Sequence, residues 1–330
     1  MRYRFLGTTG LRVSQVGLGT MSFGGDADEE TSTQLFHQCR DAGVNLFDCA
    51  DVYQNGRSEE ILGTLIRDCR DEVVITSKAY FPIGDGPNDR GASRYHIMRS
   101  VEGSLRRLRT DHIDLYYVHR FDDFTAIGDM LTSLDILVRS GKIRYPAVSN
   151  FAAWQVEKAL GIAERRSLVA PVAIQPMYNL VKRQAEVELL PMAEANTLGV
   201  IPYSPLGGGL LSGKYGIKDR PTTGRLIESK MLQARYGGDH VYDVAERFRD
   251  RARQWGYHPV SLAIAWVGSH PAVTSPLIGA RAPAQLETAL QSVEIDLTPA
   301  EREQISALSP APPPATDRNE EYTKYNFGAR

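Results

Sequence analysis

Val44-Asn45-Leu46-Phe47-Asp48 and Val73-Val74-Ile75-Thr76-Ser77-Lys78 are two short, mainly apolar runs, each stopping on a charged residue. A third, Ile113-Asp114-Leu115-Tyr116-Tyr117-Val118, stops on His119. Runs of this length, bounded by polar residues, read as strands. Five more have the same form: Val16-Gly17-Leu18, Ile143 to Val148, Val172 to Ile174, Val200 to Tyr203 and Val273 to Ile278. Seven of the eight recur at intervals of about 30 residues, the length of one strand-plus-helix unit. Between them lie helical patterns. The clearest carries Ile127, Met130, Leu131, Leu134, Leu137 and Val138 on one face and ends at Gly141. Another, Ile97, Val101, Leu105 and Leu108, is opened by Ser93. Gly43 and Gly199 each follow a helical pattern and precede a strand, as expected where a left-handed residue ends a helix. Thr298-Pro299-Ala300-Glu301 reads as a capping box with Pro at the first helical position. Eight strands alternating with helices predict an α/β fold of the closed (β/α)8 TIM-barrel type.

Three segments depart from the repeat. Residues 1–15, with Arg4-Phe5-Leu6 and Leu11-Arg12-Val13 around Gly7-Thr8-Thr9-Gly10, predict an N-terminal β-hairpin. Residues 207–238 are Gly-, Lys- and Arg-rich and form a candidate lid loop. Residues 310–330 read as a C-terminal tail. No shift in composition marks a boundary, so 1–330 is expected to be a single domain. With 330 residues, 42% hydrophobic and 24% charged, the chain can bury a large core. A net charge of -2 excludes nucleic acid bound across the whole surface. Cys39, Cys49 and Cys69 are too few and too irregularly spaced for a disulfide framework or a zinc site. No metal is expected. Met1 to Gly10 has no signal-peptide pattern, and the apolar runs fall short of the roughly 20 residues that span a bilayer. The expectation is a cytoplasmic protein without a membrane partner.

In a parallel barrel the chemistry sits at the C-terminal ends of the strands. The runs stop, in order, at Asp48, Lys78, His119, Ser149-Asn150, Gln175, Tyr203-Ser204 and Gly279-Ala280-Arg281. One polar residue after one strand is commonplace. An acid, a base, an imidazole and amides converging on one rim point to a site.

Phe47-Asp48-Cys49-Ala50-Asp51-Val52-Tyr53, followed by Gly56-Arg57-Ser58-Glu59-Glu60-Ile61-Leu62-Gly63, resembles the signature segment of the aldo-keto reductase family. Ile75-Thr76-Ser77-Lys78, Ile113 to Arg120, Val148-Ser149-Asn150-Phe151, Gln175-Pro176-Met177-Tyr178-Asn179, Tyr203-Ser204-Pro205-Leu206 and Ile278-Gly279-Ala280-Arg281 match family motifs in family order. Gly207-Gly208-Gly209-Leu210-Leu211-Ser212-Gly213-Lys214-Tyr215 is more similar to the aryl-alcohol dehydrogenase and potassium-channel β-subunit branch than to the mammalian aldose reductase branch.

The resemblance implies that Asp48, Tyr53, Lys78 and His119 are a catalytic tetrad. Reducing a carbonyl builds negative charge on its oxygen, so a proton donor must stand there beforehand. Tyr53 is the implied donor. Lys78 would lower its pKa, Asp48 would hold Lys78 charged, and His119 would direct a ring N–H at the substrate oxygen. A buried Asp and Lys on neighbouring strands could by themselves be a structural ion pair. Tyr53 and His119 on the same rim favour chemistry. Tyr116 and Tyr117 read as packing residues and Cys49 as a small core residue.

Gly17-Leu18-Gly19-Thr20-Met21-Ser22 has Ser22 where a Rossmann fingerprint needs its third glycine, so the nucleotide would be held another way. The resemblance implies NADP (NADPH). Ser149, Asn150 and Gln175 would bind the nicotinamide carboxamide, with Tyr203 stacked on the ring and Gly19, Thr20, Met21 and Asp48 lining the pocket. Ser204, Pro205, Leu206 and Gly208 would approach the pyrophosphate, and Lys214 would close over it. Gly279, Ala280 and Arg281 would meet the 2′-phosphate at a helix N-terminus, and Gln285 the adenine. Thr288 and Ala289 replace an acid and an amide that the family commonly has there, so the NADPH preference would rest on Arg281. The expected function is NADPH-dependent reduction of an aldehyde or ketone, with a small-molecule carbonyl substrate. The alternative is a regulatory subunit that senses nicotinamide redox state and binds a partner protein. A homo-oligomer stays open.

Overall fold

The computed structural model describes residues 1–315. The tail expected at 310–330 lies, from residue 316 onward, outside the described residues.

β1 (Tyr3–Phe5) and β2 (Arg12–Ser14) form the antiparallel hairpin, with Tyr3 opposite Ser14 and Phe5 opposite Arg12. The turn between them uses Gly7 and Gly10 at φ +54° and +75°, where an L side chain would be strained. Its product is a plug. Leu6 and Val13, both fully buried, join Leu46, Val74, Leu115, Tyr117, Ala173, Ile201 and Leu277 in an apolar cluster at the floor of the barrel.

The barrel strands are β3 (Gly17–Gly19), β4 (Leu46–Asp48), β5 (Val74–Ala79), β6 (Ile113–Val118), β7 (Ile143–Ser149), β8 (Ala173–Gln175), β9 (Gly199–Val200) and β10 (Leu277–Ile278). They lie in the order β10-β3-β4-β5-β6-β7-β8-β9, and the neighbours pair in parallel. The ring closes through Thr274 N–H and Ser275 N–H, which donate to the Val200 carbonyl at 2.9 and 3.2 Å, and Leu277 N–H, which donates to Pro202 O at 2.9 Å. This is the expected (β/α)8 barrel. β9 and β10 are shorter than the apolar runs that announced them. Pro202 and Pro276 lack the N–H that would continue a ladder.

Helices α1 (Glu29–Asp41), α2 (Arg57–Leu65), α3 (Arg94–Leu108), α4 (Ile127–Arg139), α5 (Ala153–Arg166) and α6 (Leu189–Ala195) alternate with the strands. Ser93 caps α3 by accepting from His96 N–H, and α4 stops two residues before Gly141, at φ +75°. Gly43 is likewise left-handed, at φ +82°. Gly199 is not. The left-handed residue after α6 is Thr197, at φ +51°, and Gly199 stands in β9. Its missing side chain serves packing, because a Cβ there would fall 2.2 Å from Leu6 Cδ1.

Residues 207–238 carry a 3-10 turn at Gly207–Ser212, then α7 (Arg225–Glu228) and α8 (Lys230–Tyr236). Next come α9 (Asp239–Gln254) and α10 (Pro259–Gly268), which account for the long interval before β10. α11 (Pro283–Leu290) and α12 (Pro299–Ser306) complete the described chain, and Thr298 and Glu301 form the capping box of α12. Among the described residues, no helix is long and apolar enough to cross a membrane.

The floor gives the first prediction. Leu6→Ala should cost about 2–5 kcal/mol of unfolding free energy, the range for truncating a fully buried leucine. Gly199→Ala should also destabilise, through the clash with Leu6. Since both changes act on one contact, the double variant should lose less than the sum of the two, as read by urea unfolding of all four proteins. Additive losses would show that Gly199 is not reserved for Leu6.

Candidate active site

Side chains alternate across a strand, so residues two apart share a face. On β5 the inner face reads Val74, Thr76, Lys78: Val74 joins the floor, Thr76 Oγ1 donates to Asp48 Oδ1 at 2.6 Å, and Lys78 Nζ donates to Asp48 Oδ2 at 2.6 Å. β4 does the same with Leu46 below and Asp48 above. The barrel thus turns from apolar to ionic within one step of the pleat.

Lys78 is completely buried. Besides Asp48, its ammonium reaches the Cys49 carbonyl at 2.6 Å and the Tyr53 hydroxyl at 3.5 Å. Burial alone would push the Lys78 pKa down, but the charge of Asp48, and then Tyr53, outweighs it and leaves Lys78 above its ordinary value. The Tyr53 hydroxyl sits deep among protein atoms, and burial pushes its pKa up to about 12 against the downward pull of Lys78. Lys78 therefore moderates the phenol without bringing it below its ordinary value. His119 lies beside Tyr53, ring centroids 6.1 Å apart, and packs edge-on against Phe81 at 4.8 Å. Burial, and then Lys78, hold its imidazole well below the usual range, so it is neutral at physiological pH. His119 Nδ1 is buried without a partner, which leaves Nε2 as the nitrogen available to a ligand.

The amides from β7 and β8 continue the same network. Gln175 Nε2 donates to Asp48 Oδ1 at 2.8 Å, giving that oxygen its second donor. Ser149 Oγ donates to the Gln175 carbonyl at 2.8 Å, and Asn150 Nδ2 donates to the His119 carbonyl at 2.9 Å. Tyr203 O–H donates to Asn150 Oδ1 at 2.7 Å. Asn150 and Ser204 hold φ near +57° and +58°, a strained choice for non-glycine residues, and it occurs at two of the strand ends on this rim.

The remaining predicted residues surround this centre less tightly. Thr20 is buried, its hydroxyl bonded to Ser58 Oγ at 2.9 Å and to the Asp48 carbonyl at 3.1 Å. Met21 is exposed, and its carbonyl accepts from Gln54 Nε2 at 3.1 Å. Gly19 ends β3 and Gly279 follows β10 beside it, with the Gly19 carbonyl 3.8 Å from where a Gly279 Cβ would stand. Ala280 O accepts from Ser22 Oγ, and Gln285 Oε1 accepts from Arg281 N–H at 3.0 Å. Arg281 is exposed at the start of α11, 3.7 Å from Asp26. Pro205 is buried, Leu206 half-buried, and Lys214 is on the surface. Gly207, Gly208 and Gly209 are left-handed in succession, at φ +57°, +69° and +100°.

Behind the rim is a second polar layer that sequence reading did not single out. Ser77, on the outer face of β5, donates to Glu59 Oε1 at 2.6 Å, and Arg107 of α3 donates to Glu59 Oε2 at 2.7 Å. Glu59 is completely buried. The signal was present in Ser58-Glu59, where an acid occupies an inward position of an amphipathic helix. On the outside of the rim, Phe121 stacks edge-on with Phe151 at 5.2 Å and with the exposed Trp154 at 6.0 Å.

The profile of the family described as Aldo/keto reductase family matches residues 15–310. An oxidoreductase of Bacillus subtilis (strain 168), named as uncharacterized and called YrpG, is 40% identical over 94% of this chain and 97% of its own length. A probable voltage-gated potassium channel subunit beta of Oryza sativa subsp. japonica is 37% identical over 96% of this chain and 99% of its own. One of the same description from Arabidopsis thaliana is 37% identical over 89% of this chain and 92% of its own. With profile and relatives spanning nearly the whole barrel, this chain is an oxidoreductase-type barrel that belongs to the aldo/keto reductase family.

Proposed function

We propose that this protein reduces an aldehyde or ketone with NADPH, using Tyr53 as general acid. The observation that carries this reading is the buried chain Asp48–Lys78–Tyr53 beside a neutral His119. A structural ion pair needs only the first two.

The donor set suits a nicotinamide nucleotide. Ser149, Asn150 and Gln175 offer amide and hydroxyl groups complementary to a carboxamide, and the ring of Tyr203 is fixed through Asn150. Three successive left-handed glycines let a diphosphate approach bare backbone; Gly207 and Gly209 N–H are bonded to the Ser204 and Leu206 carbonyls, so Gly208 would be the donor. Gln285 and Arg281 stand together at the start of α11, where the uncapped N–H groups favour an anion. When bound, the reduced nicotinamide supplies the hydride.

The residues of the chain do the rest. His119 Nε2 meets the carbonyl oxygen and fixes its direction. Tyr53 enters protonated, as its raised pKa requires of an acid, and gives its proton to the oxygen as charge develops there. Lys78 stabilises the phenolate left behind, and Asp48 keeps the ammonium charged and immobile. Phe81 and the neighbouring aromatic edges exclude water, which strengthens each of these interactions. The names of the plant relatives raise a second reading, a regulatory subunit that binds cofactor and a partner protein. Turnover separates the two.

Tyr53→Phe should keep NADPH binding within about twofold while losing about 10²- to 10⁴-fold in kcat, since the hydroxyl acts only in proton transfer. Stopped-flow reduction of an aromatic aldehyde measures it, and retention of more than about a tenth of wild-type rate would remove Tyr53 from the role. Lys78→Met should impair the same step more than Asp48→Asn, because Asp48 acts through Lys78. Unaltered pH–rate profiles in both would refute the arrangement.

Arg281→Ala should weaken NADPH by roughly 10- to 100-fold and NADH little, because a guanidinium pairs with a 2′-phosphate and finds no such anion on a bare ribose. Fluorescence titration with both cofactors reads the ratio. If it stays unchanged, another basic residue, such as Lys214, reads the phosphate.

A further inference from the structure

Asp51 lies two residues before Tyr53, in the turn that leaves β4. It is 2% exposed, and neither of its carboxyl oxygens has a hydrogen-bond partner in the protein. A buried carboxylate without donors is so costly that taking up a proton is the cheaper state.

The groups around it offer only partial relief: Arg107, and then Ser100, pull its pKa down by less than burial and Glu59 raise it. From α2 comes Glu59, a second buried acid, and from α3 comes Arg107, whose guanidinium is committed to Glu59. The same helix brings Ser100, which is engaged with His96 Nε2 at 3.3 Å; His96 is itself held below its usual range by burial. From β6 comes Tyr116, whose buried hydroxyl also lacks a partner and is kept neutral by burial and by the acids beside it. Lys78 on β5 faces the opposite way, towards Asp48. One arginine therefore stands beside two acids: it pairs with Glu59 and only partly offsets the burial of Asp51. Burial, and then Glu59, push Asp51 up to about 8.

The turn above this acid carries backbone strain. Gln54, Asn55 and Gly56 are left-handed in succession, at φ +49°, +54° and +90°. Backbone bonds tie it down: Asp51 N–H donates to the Lys78 carbonyl at 3.2 Å, Tyr53 N–H to Ala50 O at 3.1 Å and Asn55 N–H to Val52 O at 3.2 Å, and the Gln54 side chain donates to Met21 O at 3.1 Å.

We propose that Asp51 is a positioning residue for Tyr53, held as a neutral acid beneath the turn, and that its ionisation draws residues 51–56 towards solvent and carries the phenol away from Lys78. The proposal rests on Tyr53 being the general acid. It gives the reductase an alkaline limit that belongs to Asp51 rather than to the far less acidic phenol.

Two measurements on wild type and Asp51→Asn test it. The first is independent of activity. The folded protein keeps the Asp51 proton to about pH 8, whereas the unfolded chain releases it near the ordinary value of 3.8. Between these values the folded state binds more protons, so wild-type stability falls as pH rises. Asparagine has no proton to hold, and the Tm advantage of the variant should widen from about pH 4 to about pH 8. The second is kcat with saturating NADPH and an aromatic aldehyde, each protein normalised to its own value at neutral pH. Wild type should be at least about tenfold slower at about pH 10, and the variant within about threefold. A constant Tm gap would overturn the neutral acid. A widening gap with an alkaline fall shared by both proteins would overturn the link to Tyr53. Absence of turnover in either protein at every pH, with the gap still widening, would overturn the reductase reading and the role of Asp51 with it. If the asparagine variant fails to fold, Asp51→Ser is measured in its place against the same outcomes.

Discussion

The ammonium of Lys78 sits at zero exposure inside the barrel, and the upper half of the fold is arranged to make that tolerable. An unpaired charge there would cost several kcal/mol, and removing one partner of a buried pair commonly costs about 3–5 kcal/mol. Asp48 supplies the opposite charge, the Cys49 carbonyl and Tyr53 hydroxyl take the remaining donor directions, and Thr76 and Gln175 hold Asp48 by its other oxygen. These six residues come from β4, β5, β8 and the turn after β4. The barrel has to close for them to meet.

The same strand that carries Lys78 inward carries Ser77 outward. Its hydroxyl meets Glu59, Glu59 meets Arg107, and this outer layer packs α2 and α3 against the sheet with an ion pair where an apolar contact would be expected. A polar residue on each face of β5 thus couples the reacting groups to the helices behind them. Asp51 is the acid in that layer for which Arg107 does not offset burial and the neighbouring Glu59.

The hairpin has a complementary role at the opposite end. Leu6 and Val13 seal the barrel with apolar bulk, so the polar centre is reached only from the C-terminal rim. That separation follows from the pleat: Leu46 and Val74 point into the floor, and Asp48 and Lys78, each an even number of residues further on, point into the site.

The order of the strands, the place of Asp48, Lys78, His119, Ser149 and Gln175 at or beside their C-terminal ends, and the caps at Ser93 and Thr298 were legible in the sequence. Each depends on local chemistry: period, turn residues and side-chain type. Gly199 shows where that reading stops, because its glycine answers to Leu6 in the hairpin and not to the end of α6. Thr20 is a second case, since its hydroxyl bonds to Ser58, a residue 38 positions away, and the motif alone does not show that partner. The pKa of Tyr53 is a third. Lysine beside phenol predicts a fall, yet the outcome depends on how much protein surrounds the hydroxyl, and burial is the larger effect. The sequence by itself determined which residues reach the rim, because strand period and chain order are local properties. Only the tertiary structure decided which of them touch, which hydroxyl Thr20 meets and which acid, Asp51, is buried without a hydrogen-bond partner, because distance and desolvation are set by segments remote in the chain.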